Sequence, residues 1–399
     1  MKSARLTLST LFMPLSNANI TTLHNYFCDR QEKVVEFTRS LVEIESPSGD
    51  EDGSRDIVSL LAETAQSIVG LQVEKLPAAN YGEHLRITAF EDATEPSPIV
   101  LLGHTDTVHP RGSLAQRPWR VEDGKAYGPG VFDMKGSCAL TLEIIRALRQ
   151  LQMPPKHPLI LLLTCDEETG SHKGRALVEA AARDARAVLV LEPPGAGGRV
   201  KTGRKGTGIF NISAQGRAAH AGLEPEKGAS AVLELARQTE RLHLLNDLSG
   251  GIRVNIGVFH GGTLSNVVPA DAQIQVDVRF STPDEAAYID KEIRGLKPFD
   301  DRVQLVVSGG INRPPLGRTP EVLELYSAAA AIAGQLGCVL GETQVGGASD
   351  GNFAAAAGAA VLDGLGIEGD GAHAVHEHIV VDNIPFRGAL LAGLIASLS

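Results

Sequence analysis

Histidine and carboxylate residues recur in this chain where apolar runs stop and glycines begin. Leu101-Leu-Gly-His104-Thr-Asp106-Thr-Val is the first such place, Gly128-Pro-Gly-Val-Phe-Asp133-Met-Lys-Gly the second, and Cys165-Asp-Glu167-Glu168-Thr-Gly the third. Imidazole and carboxylate together suit zinc or a similar divalent ion. In an open α/β sheet, ligands gather outside the carboxyl ends of the strands, so three strand ends with such side chains converge on one crevice. A fourth acidic group, Glu192, ends the apolar run Ala187 to Leu191.

The elements that must position these residues follow from periodicity. Helical spacing covers Glu32 to Ile44, Ser54 to Val69 and Met134 to Leu151, while Leu71 to Leu76, His84 to Phe90 and Ile99 to Leu102 alternate or run as strands. Leu159 to Thr164 and Ala187 to Leu191 are short, continuous apolar runs, as expected of parallel strands buried on both faces. From about Gly203 the order becomes strand, helix, strand, strand, helix, strand, which predicts a ferredoxin-like α+β insertion into a larger mixed-sheet α/β domain. The expected organisation is an N-terminal extension over 1–30, a catalytic domain over 31–202 and 317–399, and the inserted domain over 203–316.

A chain of 399 residues with 43% hydrophobic content can fill such cores. Its net charge of -11 argues against a general binder of nucleic acid or anionic membrane, because the long-range field repels polyanions. Nothing approaches the roughly 18 apolar residues of a membrane span. The four cysteines, Cys28, Cys138, Cys165 and Cys338, form no CxxC pair, so reduced buried thiols are expected and a disulfide framework is not. Lys2 and Arg5 before Leu6 to Met13 imitate a secretory signal, but Thr7, Ser9 and Thr10 interrupt the apolar run and Pro14 ends it. A cytoplasmic location is therefore expected ahead of a periplasmic or secreted one.

The motifs already quoted, with Leu191-Glu192-Pro, Gly216-Arg-Ala-Ala-His220-Ala-Gly, Ser265-Asn266-Val-Val-Pro-Ala and Asp277-Val-Arg279-Phe, resemble the M20 family of metallopeptidases in order and spacing. The chain is most similar to the glutamate carboxypeptidase (carboxypeptidase G) branch, from about residue 32 to the C-terminus. The resemblance implies a two-zinc site, with cobalt or manganese also compatible. His104 and Glu192 would hold one ion, Glu168 and a C-terminal histidine the other, and Asp133 would bridge. Two cations about 3.5–4 Å apart need such an anionic bridge.

Gly371-Ala-His373-Ala-Val-His376-Glu377-His378 offers three histidines. His373 fits the family pattern, because Glu377 stands four residues after it, and His376 is the alternative. Adjacent Glu167 and Glu168 cannot easily both bind one ion, which leaves Glu167 as general base. Asp106 is placed to accept the second N–H of His104 and orient its ring. By family analogy His220 reaches the partner subunit's site and donates to the carbonyl oxygen, making a homodimer through 203–316 a catalytic requirement. Asn266 would assist there, and Arg279 would fork the substrate carboxylate. His109, lacking paired ligand spacing, is read as an ordinary loop histidine.

The implied activity is hydrolysis of an amide next to a free carboxylate, releasing C-terminal glutamate from N-acyl or peptidyl substrates. Deacylase, desuccinylase and dipeptidase specificities share the metal site, and an inactive metal-binding scaffold is the remaining alternative.

Overall fold

The computed structural model describes residues 12–246 and 250–399. Internal contacts divide them into two units, one made of Arg204–Gly317 with Val345–Ala348 and the other of the remaining residues. No described helix is long and apolar enough to cross a membrane.

The larger unit is built on a six-stranded sheet. Its order is Leu71–Ala78, Gly82–Ala89, Leu159–Thr164, Ile99–His104, Ala187–Val190 and Val361–Leu362. The first three strands pair antiparallel with one another, whereas the pairings from Leu159–Thr164 to Ile99–His104 and onward are parallel. The central strands Ile99–His104, Leu159–Thr164 and Ala187–Val190 are buried at every residue, which is why they read as unbroken apolar runs. In this register His104 lies opposite Thr164, so the residues that follow the two strands emerge side by side.

The expected N-terminal extension is corrected for its second half. Ser16 caps a 26-residue helix, Asn17–Val42, through its hydroxyl to the Asn19 N–H at 3.2 Å. Ile20, Leu23 and Phe27 continue the apolar stripe of the later turns and sit in the main core. A Cβ on Gly388 would lie 2.6 Å from the Phe27 ring, so glycine permits this contact. Of the signal-like stretch from Lys2 to Met13, residues 2–11 lie outside the described residues. Cys138 and Cys165 are buried as expected, but Cys28 and Cys338 are exposed, and all four are free thiols.

One small sheet has no counterpart in the sequence reading. Arg120–Glu122, Lys125–Tyr127, His378–Val380 and Gly369–Asp370 pair antiparallel in the spatial order Gly369–Asp370, His378–Val380, Lys125–Tyr127, Arg120–Glu122. Strands of two or three residues carry no readable alternation. This sheet nevertheless sets the histidine-rich turn after Asp370 beside the loop that leads to Asp133.

In the smaller unit the four strands Gly206–Gln215, Arg253–Gly261, Asp271–Phe280 and Gln304–Arg313 form an antiparallel sheet. Arg253–Gly261 is at one edge, followed by Asp271–Phe280, Gly206–Gln215 and Gln304–Arg313. Helices Ala231–His243 and Pro283–Arg294 pack on it around Phe210, Ile274, Val276, Phe280 and Ile293. Thr282 and Glu285 close a reciprocal capping box at the start of the second helix. Strand order 2-3-1-4 with this helix placement is the ferredoxin-like arrangement.

Candidate metal centre

His104 is the last residue of a central strand and is 1% exposed. Its Nδ1 lies 2.9 Å from the Asp106 carbonyl oxygen, an obligate acceptor, so Nδ1 carries a proton and Nε2 is the nitrogen left to bind. That Nε2 lies 3.1 Å from Asp133 Oδ1 and 3.4 Å from Glu192 Oε1. The expected partner of the ring, the Asp106 carboxylate, is farther away at 3.5 Å. The longer separation has a physical reason. The Asp106 carboxylate is taken up by the following turn, accepting the Glu167 N–H on Oδ1 and the Glu168 N–H on Oδ2, both at 3.2 Å. The Ser48 hydroxyl donates to Oδ2 at 2.5 Å. Asp106 therefore meets His104 most closely through its backbone carbonyl, while its side chain stands near the same nitrogen and holds the Glu167–Glu168 turn.

Asp133 sits in a tight turn entered through Gly130, whose φ of 72° is left-handed and suits glycine. Its two oxygens point to different histidines, Oδ1 to His104 and Oδ2 to His373 Nε2 at 3.3 Å. One carboxylate thus spans two imidazoles. Two residues on, the Lys135 ammonium donates to the Ile44 carbonyl at 2.6 Å, and burial pushes its pKa down to about 8. This ties the Asp133 turn to the segment that carries Ser48.

Glu168 Oε2 lies 3.2 Å from His373 Nε2, while its buried Oε1 has no hydrogen-bond partner among the described residues. Glu192 follows strand Ala187–Val190, and its carbonyl accepts the Gly366 N–H at 3.0 Å. A Cβ on Gly366 would stand 2.5 Å from the Leu191 carbonyl oxygen and 2.9 Å from that of Glu192, so the close approach needs glycine. Arg387, fully buried in the final helix, donates to the Gly366, Gly364 and Gly198 carbonyls and fixes this backing loop. Glu167 is 7% exposed, with a carboxylate oxygen grouped with the donor atoms of His104 and Glu192 within 4.8 Å of one another. His104, Asp133 and Glu168 form a second such group.

The donor set fits divalent ions. Tetrahedral bonds of about 2.0–2.1 Å put neighbouring donor atoms roughly 3.3–3.4 Å apart, and the four histidine–carboxylate separations span 3.1–3.4 Å. The electrostatics agree. Burial opposes charge on His104, yet Asp106, Asp133 and Glu192 together raise its pKa well above the ordinary value. Asp133 and Glu168 raise His373 to about 10. Burial works against ionisation of Asp133 too, but the hydrogen bonds from His104 and His373 hold it well below the usual carboxylate range. Glu168 is raised by burial and by the charge of Asp133, with His373 opposing. A pocket that favours positive charge on both imidazoles is one that a cation satisfies when it displaces those protons.

Of the tail histidines, His373 is the one whose Nε2 faces Asp133 and Glu168. The His378 ring packs on Tyr127 with centroids 5.2 Å apart, and its Nδ1 bonds to the exposed His376 carbonyl at 2.9 Å. The three remaining candidates lie in the smaller unit. His220 is exposed, and its Nδ1 accepts the Gly222 N–H at 3.1 Å, which leaves Nε2 as the protonated donor. Asn266 is its neighbour across the backbone, accepting the Ala221 N–H on its carbonyl at 2.9 Å. The Arg279 fork is engaged by Asp277, with Nε and Nη2 donating to separate carboxylate oxygens at 2.8 Å each.

Residues 100–397 match the model of peptidase family M20/M25/M40. The chain is 30% identical over 377 residues to carboxypeptidase G2 of Pseudomonas sp. (strain RS-16), an alignment covering 93% of this chain and 90% of the relative. It is 28% identical to the succinyl-diaminopimelate desuccinylase of Delftia acidovorans, over 88% of this chain and 94% of that one. Among solved structures, aminopeptidase PepT from Bacillus cereus superposes with a TM-score of 0.74 at 24% identity, covering 92% of this chain and 98% of that one. An M20 family metallo-carboxypeptidase from Sulfolobus solfataricus gives 0.70 at 15% identity, covering 91% and 98%. With strand-end carboxylates and histidines arranged to hold divalent metal, the chain belongs to peptidase family M20/M25/M40 and is a metallo-hydrolase of amide bonds.

Proposed function

We propose that this enzyme is a two-zinc hydrolase that cleaves the amide next to a free carboxylate and releases C-terminal glutamate from N-acyl or peptidyl substrates. The observation that carries this reading is Asp133, whose two carboxylate oxygens face His104 and His373 separately, as a bridge between two ions requires. His104 and Glu192 would hold one ion, Glu168 and His373 the other. Divalent ions held there would polarise the scissile carbonyl and lower the pKa of a water toward ~7 from about 15.7.

The chain's own groups do the rest. Glu167 accepts the proton of the attacking water and returns it to the departing amine, so that the new C–O bond and the broken C–N bond balance. Asp106 holds Glu167 and Glu168 by their backbone N–H groups, which fixes the turn that carries both the base and the ligand. His220, with its donor on Nε2, supports the carbonyl oxygen of a partner subunit's substrate, in a homodimer formed through 203–316. Asn266 assists at the same oxygen. Arg279 binds the substrate carboxylate, exchanging or sharing the fork that Asp277 engages.

The glutamate preference is supported by the likeness to carboxypeptidase G2 over nearly the whole chain. The desuccinylase relative supports a second reading, removal of an acyl group from an amino acid, with dipeptide cleavage beside it. A panel of N-acylglutamates, N-acylaspartates, neutral N-acyl amino acids, N-succinyl-diaminopimelate and dipeptides separates these. The proposal expects the highest kcat/KM for release of glutamate; equal rates for neutral amino acids would overturn it. An inactive scaffold is disfavoured because both Glu167 and a full ligand set are present.

A further inference from the structure

Glu377 is 2% exposed and is held on every side by donors. Its Oε1 accepts the Phe132 and Asp133 N–H groups at 2.9 and 3.0 Å, and its Oε2 accepts the Gly130 N–H at 2.8 Å. His109, itself 7% exposed, adds a bond from Nε2 to Oε2 at 2.6 Å. The tautomer of that ring follows from its other neighbour. Arg117 Nη2, which can only donate, lies 3.2 Å from His109 Nδ1, so Nδ1 accepts and Nε2 carries the proton given to Glu377. Arg117 also reaches the tail turn directly, Nη1 donating to the Ala374 carbonyl at 3.3 Å.

These bonds join the two chain segments whose spacing decides one metal position. Glu377 belongs to the tail turn that presents His373, and its carboxylate grips the backbone of the turn that presents Asp133. His373 needs such support. Its side chain is 53% exposed, and it sits in a left-handed conformation, φ 64°, stabilised by the Ala374 N–H to the Gly371 carbonyl at 2.8 Å. A ligand on an exposed turn, left to itself, samples positions well beyond the ~0.2 Å tolerance of a metal bond.

We propose that Arg117, His109 and Glu377 are positioning residues that set the distance between His373 and Asp133, and thereby the metal affinity of the position that His373 serves. This rests on the reading of His373, Asp133 and Glu168 as metal ligands. None of the three touches the reacting atoms. A buried carboxylate of this kind is costly unless its donors are all present, and here the donors come from the loop after His104 and from the Asp133 turn, while the carboxylate itself belongs to the tail. Replacing Glu377 by glutamine turns one acceptor oxygen into a donor that faces either His109 or a backbone N–H, so the grip opens even though the volume is unchanged.

The test is a Zn2+ competition titration of the full-length protein against a chromogenic chelator, with Co2+ absorption spectra as an independent readout, for wild type, E377Q, H109L, H109Q, R117M and the ligand variant H373A. Expected is a loss of about 10- to 100-fold in Zn2+ affinity, the usual effect of removing a ligand's support. That loss should be confined to the position that H373A abolishes, with an altered Co2+ spectrum. Glutamine at 109 can still donate to Glu377 and should recover part of what leucine loses. If E377Q fails to fold by circular dichroism, H109L and R117M carry the test. Unchanged affinity and spectra in folded variants, while H373A loses its position, would overturn the bracket and leave the ligand assignment standing. A wild-type chain that binds no Zn2+ would overturn both.

Discussion

The Asp106 carboxylate accepts the backbone N–H of Glu167 at 3.2 Å, although 61 residues separate the two in sequence. With the matching bond to Glu168 and the donation from Ser48, the three groups hydrogen-bonded to this carboxylate are all donors. Asp106→Asn places an amide NH2 where an acceptor is needed. Steady-state kinetics on that variant should show kcat/KM reduced about 10- to 100-fold, with the protein folded. Wild-type activity in D106N would show that the turn holds itself in place.

Glu167→Gln tests the division of labour between the adjacent glutamates. The amide keeps the volume but cannot take a proton, so turnover should fall about 10²- to 10⁴-fold while the metal content measured by elemental analysis stays that of wild type. Metal loss in E167Q would make Glu167 a ligand, an arrangement its grouping with His104 and Glu192 would accommodate.

Proton and metal compete for His373 Nε2. Asp133 and Glu168 raise this imidazole to about 10, against roughly 6.5 for an unfolded histidine. Apparent Zn2+ affinity should therefore climb with pH and level off near 10. In the metal-free chain the sign is reversed. A raised pKa stabilises the fold fully below about 6.5 and loses that contribution as pH rises through the folded value. Thermal melts of metal-free wild type from pH 6 to 10 should fall more than those of H373Q, with a small difference because the ring is half exposed. Parallel curves would contradict the pairing.

Phe27→Ala tests whether the N-terminal helix belongs to the main domain. Its ring is fully buried against Gly388. Loss of a buried phenylalanine costs about 3–5 kcal/mol, which denaturant unfolding would register. A change within about 0.5 kcal/mol would return residues 17–30 to the status of a surface extension.

The sequence disclosed the parts of the site that sit at strand ends. His104, Glu167, Glu168 and Glu192 each follow a buried apolar run, and a register that aligns His104 with Thr164 is what brings them together. What it hid falls into two kinds. The helix from Asn17 was masked by polar residues between its apolar positions and by the signal-like stretch before it. Ser48, His109 and Arg117 act through side-chain hydrogen bonds that follow no period. Glu377 is legible only as a marker of the family pattern and not for its grip on the Asp133 turn, and the small sheet that places the tail turn has strands too short to alternate. His109 is the instructive case, since its ring meets no ligand spacing in sequence yet fills a buried gap between Arg117 and Glu377.

In the proposed site five side chains hold two ions with Asp133 between them. Metal content of the purified wild-type chain, measured by inductively coupled plasma mass spectrometry alongside D133A, tests it most directly. Two zinc equivalents per wild-type chain are expected, with a loss affecting both positions in D133A. Two equivalents retained in D133A, or none in wild type, would contradict it.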